Sequence, residues 1–526
     1  MKAIKLKTLS CPYRNIPDYA ANKLLIDLES NALNKSFPLF SLNTPLLSSH
    51  SEFLNRSELA EILISYNKSI GNPLSKIQTD AILSSGRFIV AGQQPGLLTG
   101  PIYTILKVIS VLILSEIIQS KSDDPILPAF WIASEDHDIL EVNRCTISGQ
   151  QLICNYRDTL ETDTIPCVGF IPLDNCRDSI LKFLSSVLPA SEHKDWVMSI
   201  VAECSFESYS VMFASLLGKL FKSGKLILID AVSLHPLMKP VIEKAIACWS
   251  DLENAFNEGS NSLKSYGYDT PLESLNLFEI VDKKRCKMDM SKVQKNIKQA
   301  EFSNSTCDDI FDSRQYSPGA ALRLICQDAV IPVLVTVGGP TELLYQWQIS
   351  PLYNVLSVRR SALFPRISAT FIEDRIRHSA NCWNLYPDGI FTSLELLENY
   401  PGTVDLPDEY QSIKISGDRL ITEIRHVFKD DRPPWMNKIE NSLSYQLNKL
   451  YGRLTDEHLS SQGKGRAELE KIAGAVYPRR NLQEREVNIF HFLGRYGPQF
   501  LDQLLDVFDP FLFGHTIVEI KNDGED

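Results

Sequence analysis

The sequence has no Cys-x-x-Cys pair, although it contains 11 cysteines. They are scattered from Cys11 to Cys382, so the spacing indicates neither a zinc site nor a disulfide framework. An odd number of scattered cysteines is typical of reduced, mostly buried thiols. We therefore predict no metal site and no disulfide.

The sequence also shows no pattern typical of a targeting segment or a membrane-spanning segment. The N-terminal stretch MKAIKLKTLSCPYRNIPDY has basic residues but lacks the apolar segment of a secretory signal. The most apolar stretch, VISVLILSEII, is too short and too closely flanked by Lys107 and Glu116 to span a bilayer. The net charge of −12 disfavours nucleic acid and anionic membranes as partners, although a few N–H groups and cations suffice for small anions. We expect a cytoplasmic protein that binds neither nucleic acid nor membrane.

Several catalytic signatures are absent as well. The chain has no Walker A loop, no G-x-G-x-x-G fingerprint, no G-x-S-x-G elbow, no HExxH and no EF-hand pattern. Serine hydrolase and zincin activities are therefore not expected. At 526 residues the chain exceeds the size at which one core stops growing, which predicts two or more domains.

Strand-like and helix-like segments alternate over much of the chain. The apolar run Arg87–Ala91, the helical stretch Ile102–Gln119 and the run Pro125–Ser134 form a strand–helix–strand unit, which requires parallel strands and a right-handed crossover. Further core strands are predicted at KLILID (225–230), IPVLVTV (331–337) and PRISATFI (365–372). The pattern predicts an α/β core with a doubly wound parallel sheet.

Two segments interrupt the alternation, at about residues 145–203 and 254–315, and we interpret them as insertions on the core. The second contains LNLFEIVDKKRCKMDM, whose alternation predicts a solvent-edged hairpin. From about residue 377 the chain becomes helical. We predict a core over residues 1–376 and a helical domain over 377–526, with a coiled coil at about 435–475.

The coiled-coil prediction depends on apolar residues spaced by threes and fours after the helix start DDRPPW. These residues are Met436, Ile439, Leu443, Leu447, Leu450 and Leu454. Either self-association of two copies or docking of a surface helix on the core accounts for this pattern.

The loop GQQPGLLTGP leaves the carboxyl end of a predicted parallel strand and opens a helix, and ligands bind at such ends in open α/β sheets. With Pro101 as first helical residue and Thr99 or Gly100 as cap, free N–H groups and a positive dipole end would face a phosphate or carboxylate. The glycines permit positive φ and close approach of a ligand, and the glutamines offer polar side chains. The residues concerned are Gly92, Gln93, Gln94, Gly96, Thr99 and Gly100. A tight turn that needs glycine for geometry alone explains the loop equally well.

Four ionisable residues, Glu135, Asp136, His137 and Asp138, follow the next strand and are expected at the same sheet edge. In an extended backbone, alternate side chains face opposite sides, so the four would not converge on one ligand. A carboxylate here could hold an ammonium group, and His137 could transfer a proton. The alternatives are an Asp/His metal site and an aspartate that caps the next helix.

A third loop, VTVGGPTELLYQW, places Gly338 and Gly339 between a strand and a helix, with Glu342 in the first turn. Glu342 also suits the helix dipole, which is a purely structural explanation. Arg323 lies on the helix before that strand and could bind a carboxylate or phosphate, although lone helical arginines are usually solvated or paired.

Four motifs in this order resemble the BshC family, the cysteine-adding enzymes of bacillithiol biosynthesis. The motifs are GQQPGLLTGPIYTILK, FWIASEDHDILEVN, VGGPTELLYQ and the C-terminal LQEREVNIFHFLGRYGPQFL. The resemblance covers nearly the whole chain. It implies a Rossmann-like core related to class I aminoacyl-tRNA synthetases and nucleotidylyltransferases, connecting insertions, and a C-terminal helical coiled coil that forms a homodimer.

The resemblance also implies a reaction: a ligase that joins L-cysteine to the amine of glucosaminyl-malate in the last step of bacillithiol synthesis. Such a reaction needs an activated carboxylate, which implies ATP; whether Mg²⁺ takes part stays open. We expect Glu135, Asp136 and His137 to be catalytic, and Asp138, Arg323 and Glu342 to bind substrate. The expected ATP-binding residues are Gly92, Gln93, Gln94, Gly96, Thr99, Gly100, Gly338 and Gly339.

The chain departs from synthetase patterns in two ways. The phosphate motif H-x-G-H is absent, and Leu106 stands where some relatives carry histidine. KMDMSK (287–292) imitates the mobile KMSKS loop, but its place in a hairpin favours coincidence. Two other functions stay open: a nucleotidyl or other group transferase acting on a small anionic metabolite, and a non-catalytic dimer that binds a metabolite.

Overall fold

The computed structural model describes residues 4–20, 22–32, 37, 39–41, 51–155, 166–222, 224–295, 315–400, 407–427, 433–462 and 464–522. The chain forms two compact units. The first unit comprises Met1–Ala21, Thr370–Gln483 and Ile517–Asp526, and the second comprises Asn22–Ala369 and Glu484–Thr516. Each unit is assembled from separated stretches of chain, and the domain boundary at residues 376 and 377 stays a prediction.

The strands assigned within the described ranges are β1 (Ile4–Cys11), β2 (Arg87–Gln93), β3 (Ile126–Ile132), β4 (Arg144–Ile147), β5 (Gln150–Ile153), β6 (Ile227–Asp230), β7 (Leu277–Val281), β8 (Lys284–Lys287), β9 (Gln315–Pro318), β10 (Val333–Gly338), β11 (Ala362–Pro365), β12 (Ser368–Glu373) and β13 (His515–Asn522). The first half of the chain contains the helices α1 (Pro17–Ala20), α2 (Lys23–Glu29), α3 (Arg56–Ser69), α4 (Lys76–Leu83), α5 (Ile102–Gln119), α6 (Ile139–Val142), α7 (Arg177–Val187), α8 (Glu192–Ala202), α9 (Tyr209–Leu220), α10 (His235–Ala247) and α11 (Trp249–Ser265). The second half contains α12 (Ala320–Val330), α13 (Pro340–Gln348), α14 (Ser350–Leu356), α15 (Asp374–Cys382), α16 (Ser393–Glu398), α17 (Asp408–Val427), α18 (Pro434–Ser461), α19 (Arg466–Val476), α20 (Gln483–Glu486), α21 (Phe490–Tyr496) and α22 (Gln499–Val507).

The second unit is built on a parallel sheet of five strands in the order β11-β10-β2-β3-β6. Helices cover both faces. On one face, Phe130 of β3 packs against Phe213 of α9 with ring centroids 6.0 Å apart. On the other face, Val90 and Trp131 belong to a buried cluster with side chains of α3, α10 and α12. Because helices flank a parallel sheet on both sides, the predicted doubly wound α/β class is confirmed.

The predicted core strands are confirmed at β2, β3, β6 and β10. The prediction of one core strand over residues 365–372 is wrong. Pro365 ends β11, whereas Ser368 begins β12, a strand of a separate sheet with the order β1-β13-β12. Between them the Ile367 N–H donates to Ser110 Oγ of α5 at 2.8 Å and so leaves the ladder. The apolar pattern runs on through this turn, so periodicity alone could not show it.

The helix α5 is confirmed with the predicted bounds and lies on β2 and β3. Among the described residues it is the one helix long and apolar enough to cross a membrane, but 78% of it is buried inside the protein. The burial agrees with the prediction that this stretch is a core helix rather than a membrane span.

The predicted hairpin in the second insertion is also confirmed. β7 pairs with β8 in antiparallel fashion, and β9 completes a small sheet on the other side of β7. KMDMSK begins at Lys287, the last residue of β8. This small sheet brings Arg285 to the site described below.

In the first unit, α17 and α18 pack against each other in antiparallel fashion. Arg425 of α17 pairs with Glu440 of α18, and Tyr410 lies near His458 with ring centroids 5.7 Å apart. Of the predicted seam, Met436 is buried, whereas Ile439 and Leu450 are 53% and 47% exposed. The pair of helices within one chain therefore covers only part of the seam.

Candidate functional site

A cavity of about 980 Å³ opens at the carboxyl edge of the five-stranded sheet, where β2, β3 and β10 end. We call it the edge cavity. Its walls come from the loops after these strands, the first turns of α5 and α13, the small sheet of the second insertion and the segment that follows β11. As predicted, the three polar loops lie at one sheet edge, because parallel strands all end there.

The loop between β2 and α5 is more constrained than the sequence analysis assumed. Gly100 has φ of 71°, but Leu98 and Thr99 also have positive φ, at 51° and 75°. Glycine is needed at position 96 because the chain passes close to Gly100 there. A Cβ at position 96 would lie 2.8 Å from the Gly100 Cα. Of the three glycines expected to permit positive φ and close approach of a ligand, only Gly100 has positive φ.

The C-terminal segment of the second unit braces this loop. The Asn488 side-chain amide donates to the carbonyl oxygens of Leu98 and Gly100, at 2.6 and 2.7 Å. The Ile102 N–H donates to Val487 O at 2.8 Å. Helix α5 starts at Ile102 with Pro101 as cap, so the predicted cap at Thr99 or Gly100 is wrong. One first-turn N–H group predicted to be free for a ligand is thus already occupied.

Lys107 of α5 is the buried cation at the back of the edge cavity. Its side chain is 3% exposed, and Nζ donates to Gly92 O at 2.7 Å and Gln93 Oε1 at 2.8 Å. The same atom pairs with Glu342 Oε2 at 2.8 Å. Burial lowers the pKa of Lys107, and the Glu342 carboxylate opposes that shift. One ammonium group thus ties the ends of β2 and α13 together.

Glu342 caps the helix in which it lies, as its first-turn position predicted. Its Oε2 accepts the Gly339 N–H at 2.7 Å, which is the glutamate half of a capping box, since Gly339 has no side chain to supply the other half. Burial alone would raise the pKa of this carboxyl group, but the Lys107 ammonium and the Gly339 N–H outweigh it and lower the pKa. Glu342 therefore has a structural role in addition to its place in the cavity wall.

The residues after β3 form a turn rather than the extended strand that we assumed. Asp136 Oδ1 accepts the N–H groups of His137 and Asp138 at 2.6 and 3.3 Å, and Asp136 Oδ2 accepts Gln94 Nε2 at 2.8 Å. Asp138 occupies the N-cap position of α6 without a side-chain cap bond. This turn brings three carboxylates, Glu135, Asp136 and Asp138, to the cavity and leaves the His137 side chain 56% exposed.

Glu135 is the most buried acid of the cavity wall, at 2% exposure. Its Oε2 lies 2.8 Å from Nε2 of His235, the first residue of α10, which is 8% exposed. Within the described part of the chain, Glu135 Oε1 has no hydrogen-bond partner. No pattern in the sequence predicted a role for His235.

Arg323 of α12 also lines the cavity. Its Nη2 donates to Tyr345 OH at 3.2 Å, and its guanidinium lies 6.0 Å from the centre of the Trp131 ring. Burial raises the pKa of Tyr345 to about 12, so the phenol stays neutral and can accept this bond. These contacts hold the guanidinium at the cavity. The bond to Tyr345 uses one of its five N–H groups.

Arg366 is a further cation of the wall, and a buried carboxylate holds it. The guanidinium bonds to both oxygens of Glu484, which is fully buried. Glu484 also accepts Ser368 Oγ at 2.9 Å and the Ala369 N–H at 3.0 Å. A Cβ on Gly339 would lie 3.7 Å from Arg366 Nε, so glycine leaves room at the head of α13. The bidentate geometry of the arginine fork is therefore used on Glu484.

This network predicts a pH dependence of stability. Ser368 Oγ also lies 2.7 Å from Nδ1 of His515, and burial lowers the pKa of His515 from 6.5 to about 4. Below pH 6.5 the unfolded chain binds a proton that the folded chain refuses until about pH 4, so stability is lost as pH falls. Each pKa unit corresponds to about 1.36 kcal/mol. Between pH 7 and pH 4.5 we therefore expect the free energy of unfolding, measured in urea titrations, to fall by about 2 to 3 kcal/mol more in wild type than in His515→Gln. Equal losses in both proteins would contradict this expectation.

Eleven of the fourteen predicted site residues line the edge cavity; they are Gly92, Gln93, Gln94, Gly96, Gly100, Glu135, Asp136, Asp138, Arg323, Gly339 and Glu342. Thr99, His137 and Gly338 do not line it. Thr99 is fully buried, Gly338 is the last residue of β10, and His137 faces outward. The chemical roles assigned to all fourteen stay predictions.

Most cations of the cavity were not predicted from the sequence; they are Lys107, Arg144, Arg285, Arg366 and Arg485. Lys107 offered a signal, because a lysine in an apolar helix is expected to be paired when buried. Arg285 is held by bonds to Ser317 Oγ and Pro318 O, at 2.8 and 2.6 Å, from a neighbouring strand. With Arg323 these cations line the same cavity as the carboxylates after β3, so the cavity suits a ligand with both charges.

A metal site is not evident from side chains alone. Within the described ranges, no three His, Cys, Asp or Glu side chains come together as a metal-binding group. Mg²⁺ that accompanies a nucleotide needs only one or two carboxylates beside the phosphates, and Asp136 and Asp138 have the oxygen ligands it prefers.

Comparison with known proteins agrees with this fold. Residues 36–367 match the family model described as bacillithiol biosynthesis BshC, N-terminal Rossmann-like domain. Residues 428–520 match the model described as bacillithiol biosynthesis BshC, C-terminal coiled-coil domain. Together the two models cover most of the chain.

Curated relatives extend over nearly the same length. A Bacillus cytotoxicus protein named "Putative cysteine ligase BshC" is 26% identical over 479 residues, which are 85% of this chain and 88% of the relative. A protein of the same name from Bacillus thuringiensis subsp. konkukian is 26% identical over 497 residues, covering 88% and 91%. One from Bacillus anthracis is 25% identical over 495 residues, with the same coverage. The chain belongs to the BshC family of bacillithiol biosynthesis.

Proposed function

We propose that the protein is a ligase that adds L-cysteine to the amine of glucosaminyl-malate, the last step of bacillithiol synthesis, with ATP as the source of carboxylate activation. The name of its relatives supports a cysteine ligase. The observation that carries the proposal is the charge distribution of the edge cavity, which is lined both by the carboxylates after β3 and by several arginines. Both substrates combine an ammonium group with carboxylate, so each needs both signs of charge.

The residues that line the edge cavity fit a nucleoside triphosphate. Arg366 presents a fixed guanidinium near the start of α13, and Gly96, Gly100 and Gly339 line the cavity in the loops that precede α5 and α13. Arginine forks and helix starts are the usual partners of phosphate. ATP, when bound, supplies the phosphoanhydride that activates the cysteine carboxylate. This chain's own residues hold the phosphates, fix the carboxylate of cysteine and separate the ammonium groups.

The acidic and basic walls would sort the two substrates. Asp136, fixed by Gln94 and by its own turn, would hold the ammonium group of cysteine. Arg323, placed by Tyr345 and Trp131, would bind a malate carboxylate. His137 is exposed beside Asp136, at 3.6 Å between Nδ1 and Oδ1, and would exchange protons with solvent at the cavity rim.

The proposal is tested by incubating purified protein with ATP, cysteine and glucosaminyl-malate and measuring the amide product by mass spectrometry. A second readout is pyrophosphate exchange into ATP, which should require cysteine. Exchange that needs no amino acid would favour a nucleotidyl or group transferase instead. Ligand binding without product or exchange would favour a non-catalytic metabolite-binding protein. We place the reaction in the cytoplasm, where thiols stay reduced.

We also propose that the protein is a homodimer through α17 and α18. The ion pair between Arg425 and Glu440 shows which residues of the two antiparallel helices lie side by side. At two such positions both helices carry exposed apolar side chains. Ile415 lies level with Leu450, and Leu420 with Tyr445; these four side chains are 65%, 47%, 46% and 63% exposed. Exposed apolar side chains on two adjacent helices are typical of an interface.

The dimer proposal predicts a change of mass. The double variant Ile415→Lys/Leu450→Lys should elute as a 59.3 kDa chain in light-scattering chromatography, whereas wild type should show twice that mass. Two charges on an apolar contact would remain desolvated and unpaired in the dimer. Ile77→Lys on α4, where the side chain is 81% exposed, is the matched control and should leave the mass unchanged. A wild type that runs as a single chain at micromolar concentration would contradict the proposal.

A further inference from the structure

Glu135 and His235 form a buried acid–imidazole pair between two neighbouring strands. β3 and β6 pair in parallel with Ile132 opposite Asp230, so the loops that follow them lie side by side. The Ala231 N–H donates to Ile132 O at 3.1 Å and fixes the two loops together. Glu135 Oε2 and His235 Nε2 are then 2.8 Å apart.

The hydrogen bond fixes which atoms are occupied and which are open. A carboxylate oxygen only accepts, so Nε2 of His235 is the nitrogen that carries the proton. The other oxygen, Glu135 Oε1, is buried at the cavity wall and has no hydrogen-bond partner within the described residues. Leaving a buried carboxylate oxygen without a donor costs free energy, which indicates a ligand that brings one.

We propose that Glu135 binds the primary ammonium group of the acceptor and takes its proton, and that His235 is the positioning residue that directs Glu135 Oε1 into the cavity. The inference rests on the proposed ligase function and deepens it by separating Glu135 from its neighbours. Asp136 has both oxygens engaged by Gln94 and by backbone N–H groups, whereas Glu135 keeps one oxygen open. A cationic N–H donor is the strongest partner for such an oxygen.

The proton and electron pairs move as follows in this assignment. The acceptor ammonium gives one proton to Glu135 Oε1, and the freed nitrogen lone pair attacks the activated carbonyl carbon of cysteine. The C–N bond forms while the C–O bond to the phosphate breaks, and its electron pair leaves on the phosphate oxygen. The remaining excess proton of the nitrogen goes to the departing phosphate, and Glu135 returns its proton to solvent.

The first experiment measures binding in the absence of ATP and cysteine, so it does not depend on catalysis. Wild type should bind glucosaminyl-malate about 30-fold more tightly than its N-acetylated analogue, which has no ammonium group, since a desolvated charge pair contributes strongly. In Glu135→Gln, which keeps the shape of the side chain, this preference should fall below about 3-fold. If Glu135→Gln keeps the full preference, the ammonium binds elsewhere and the inference is overturned.

The second experiment compares the two half-reactions. Glu135→Gln should keep cysteine-dependent pyrophosphate exchange within about 3-fold of wild type but lose about 100-fold or more in amide formation, the usual range for a lost general base. Equal losses in both half-reactions would overturn the assignment to the acceptor. The control is Glu116→Gln, which changes an exposed carboxylate about 20 Å from the start of α5. This variant should match wild type in both half-reactions.

His235 has its own pair of variants. His235→Ala should raise the KM for glucosaminyl-malate at least about 10-fold without changing the KM for cysteine, because a loosened carboxylate loses its fixed direction. His235→Gln keeps an N–H donor at a similar distance and should recover most of this loss. A purely structural role would instead lower the melting temperature of His235→Ala and leave both KM values of the folded enzyme unchanged, which overturns the positioning role. If wild type binds the acceptor through Glu135 yet forms no amide, the ligase proposal fails while the ammonium site stands.

Discussion

Replacement of Lys107 by methionine is expected to lower the free energy of unfolding by about 3 kcal/mol and to reduce amide formation at least about 100-fold. Methionine fills a similar volume in α5 but offers no donor to Gly92 O or Gln93 Oε1. The Glu342 carboxylate would lose its cation, and breaking a buried ion pair at one end carries this order of cost. The two loops that it joins would separate, and small displacements of binding groups reduce rates strongly.

The matched control is Glu342→Gln, alone and combined with Lys107→Met. The double variant removes both charges and should recover at least about 1 kcal/mol of the stability lost in Lys107→Met, as measured in urea titrations, because no uncompensated carboxylate remains. Activity should not recover, since the ends of β2 and α13 stay unlinked. A fully additive double variant would show that the Lys107–Glu342 pair is not coupled and would contradict this interpretation.

Replacement of Arg323 by alanine is expected to lower kcat/KM for glucosaminyl-malate about 100-fold, with little change in the melting temperature. The Arg323 guanidinium lines the cavity, and its side-chain hydrogen bond is to the neutral Tyr345 hydroxyl, so its removal breaks no hydrogen-bonded ion pair. Loss of one cation from a desolvated charge pair costs about 2 to 3 kcal/mol, which is roughly a hundredfold in affinity.

The specificity of this effect can be measured with a truncated acceptor. Methyl glucosaminide has the amine but no malate, so wild type should use it poorly and Arg323→Ala should use it about as well as wild type does. Tyr345→Phe keeps the guanidinium but removes its hydroxyl partner and should show a loss of no more than about 10-fold. If Arg323→Ala loses activity equally on both acceptors, Arg323 does not bind the malate group.

The location of the site was predictable from the sequence because the signals are local. Apolar runs of strand length, a helix of crossover length and Gly-rich or polar loops at the ends of strands fix a parallel sheet and its binding edge. The loop Gly92–Gly100, the residues Glu135–Asp138 and the pair Gly338–Gly339 were thereby expected at one edge, and eleven of the fourteen chosen residues line the cavity there.

The supporting residues were not predictable, because they come from distant parts of the chain. Glu484 meets Arg366 across 118 positions, and Asn488 reaches Leu98 across 390. His235 gives no pattern of its own, since its meaning depends on β3 and β6 being neighbours. Strand order, which is set by long-range packing, decides such contacts, and a single sequence does not encode it in any local period.

Two of the predictions that were wrong share a cause. The Thr99 or Gly100 cap and the extended backbone after β3 both assumed ordinary local geometry at the ends of elements. Asn488 instead holds the first loop in positive φ, and the Asp136 side chain turns the second. Element ends at functional sites are where tertiary contacts override local preference.

The central claim is that cysteine, the nucleotide and the acceptor meet in the edge cavity. The most direct measurement is a crystal structure of the protein with a non-hydrolysable sulfamoyl analogue of cysteinyl-adenylate. We expect the analogue in the edge cavity, with its sulfamoyl oxygens within hydrogen-bond distance of Arg366 or Arg323 and its ammonium group at Asp136. Well-defined binding of the analogue outside this cavity would show that the reaction site lies elsewhere.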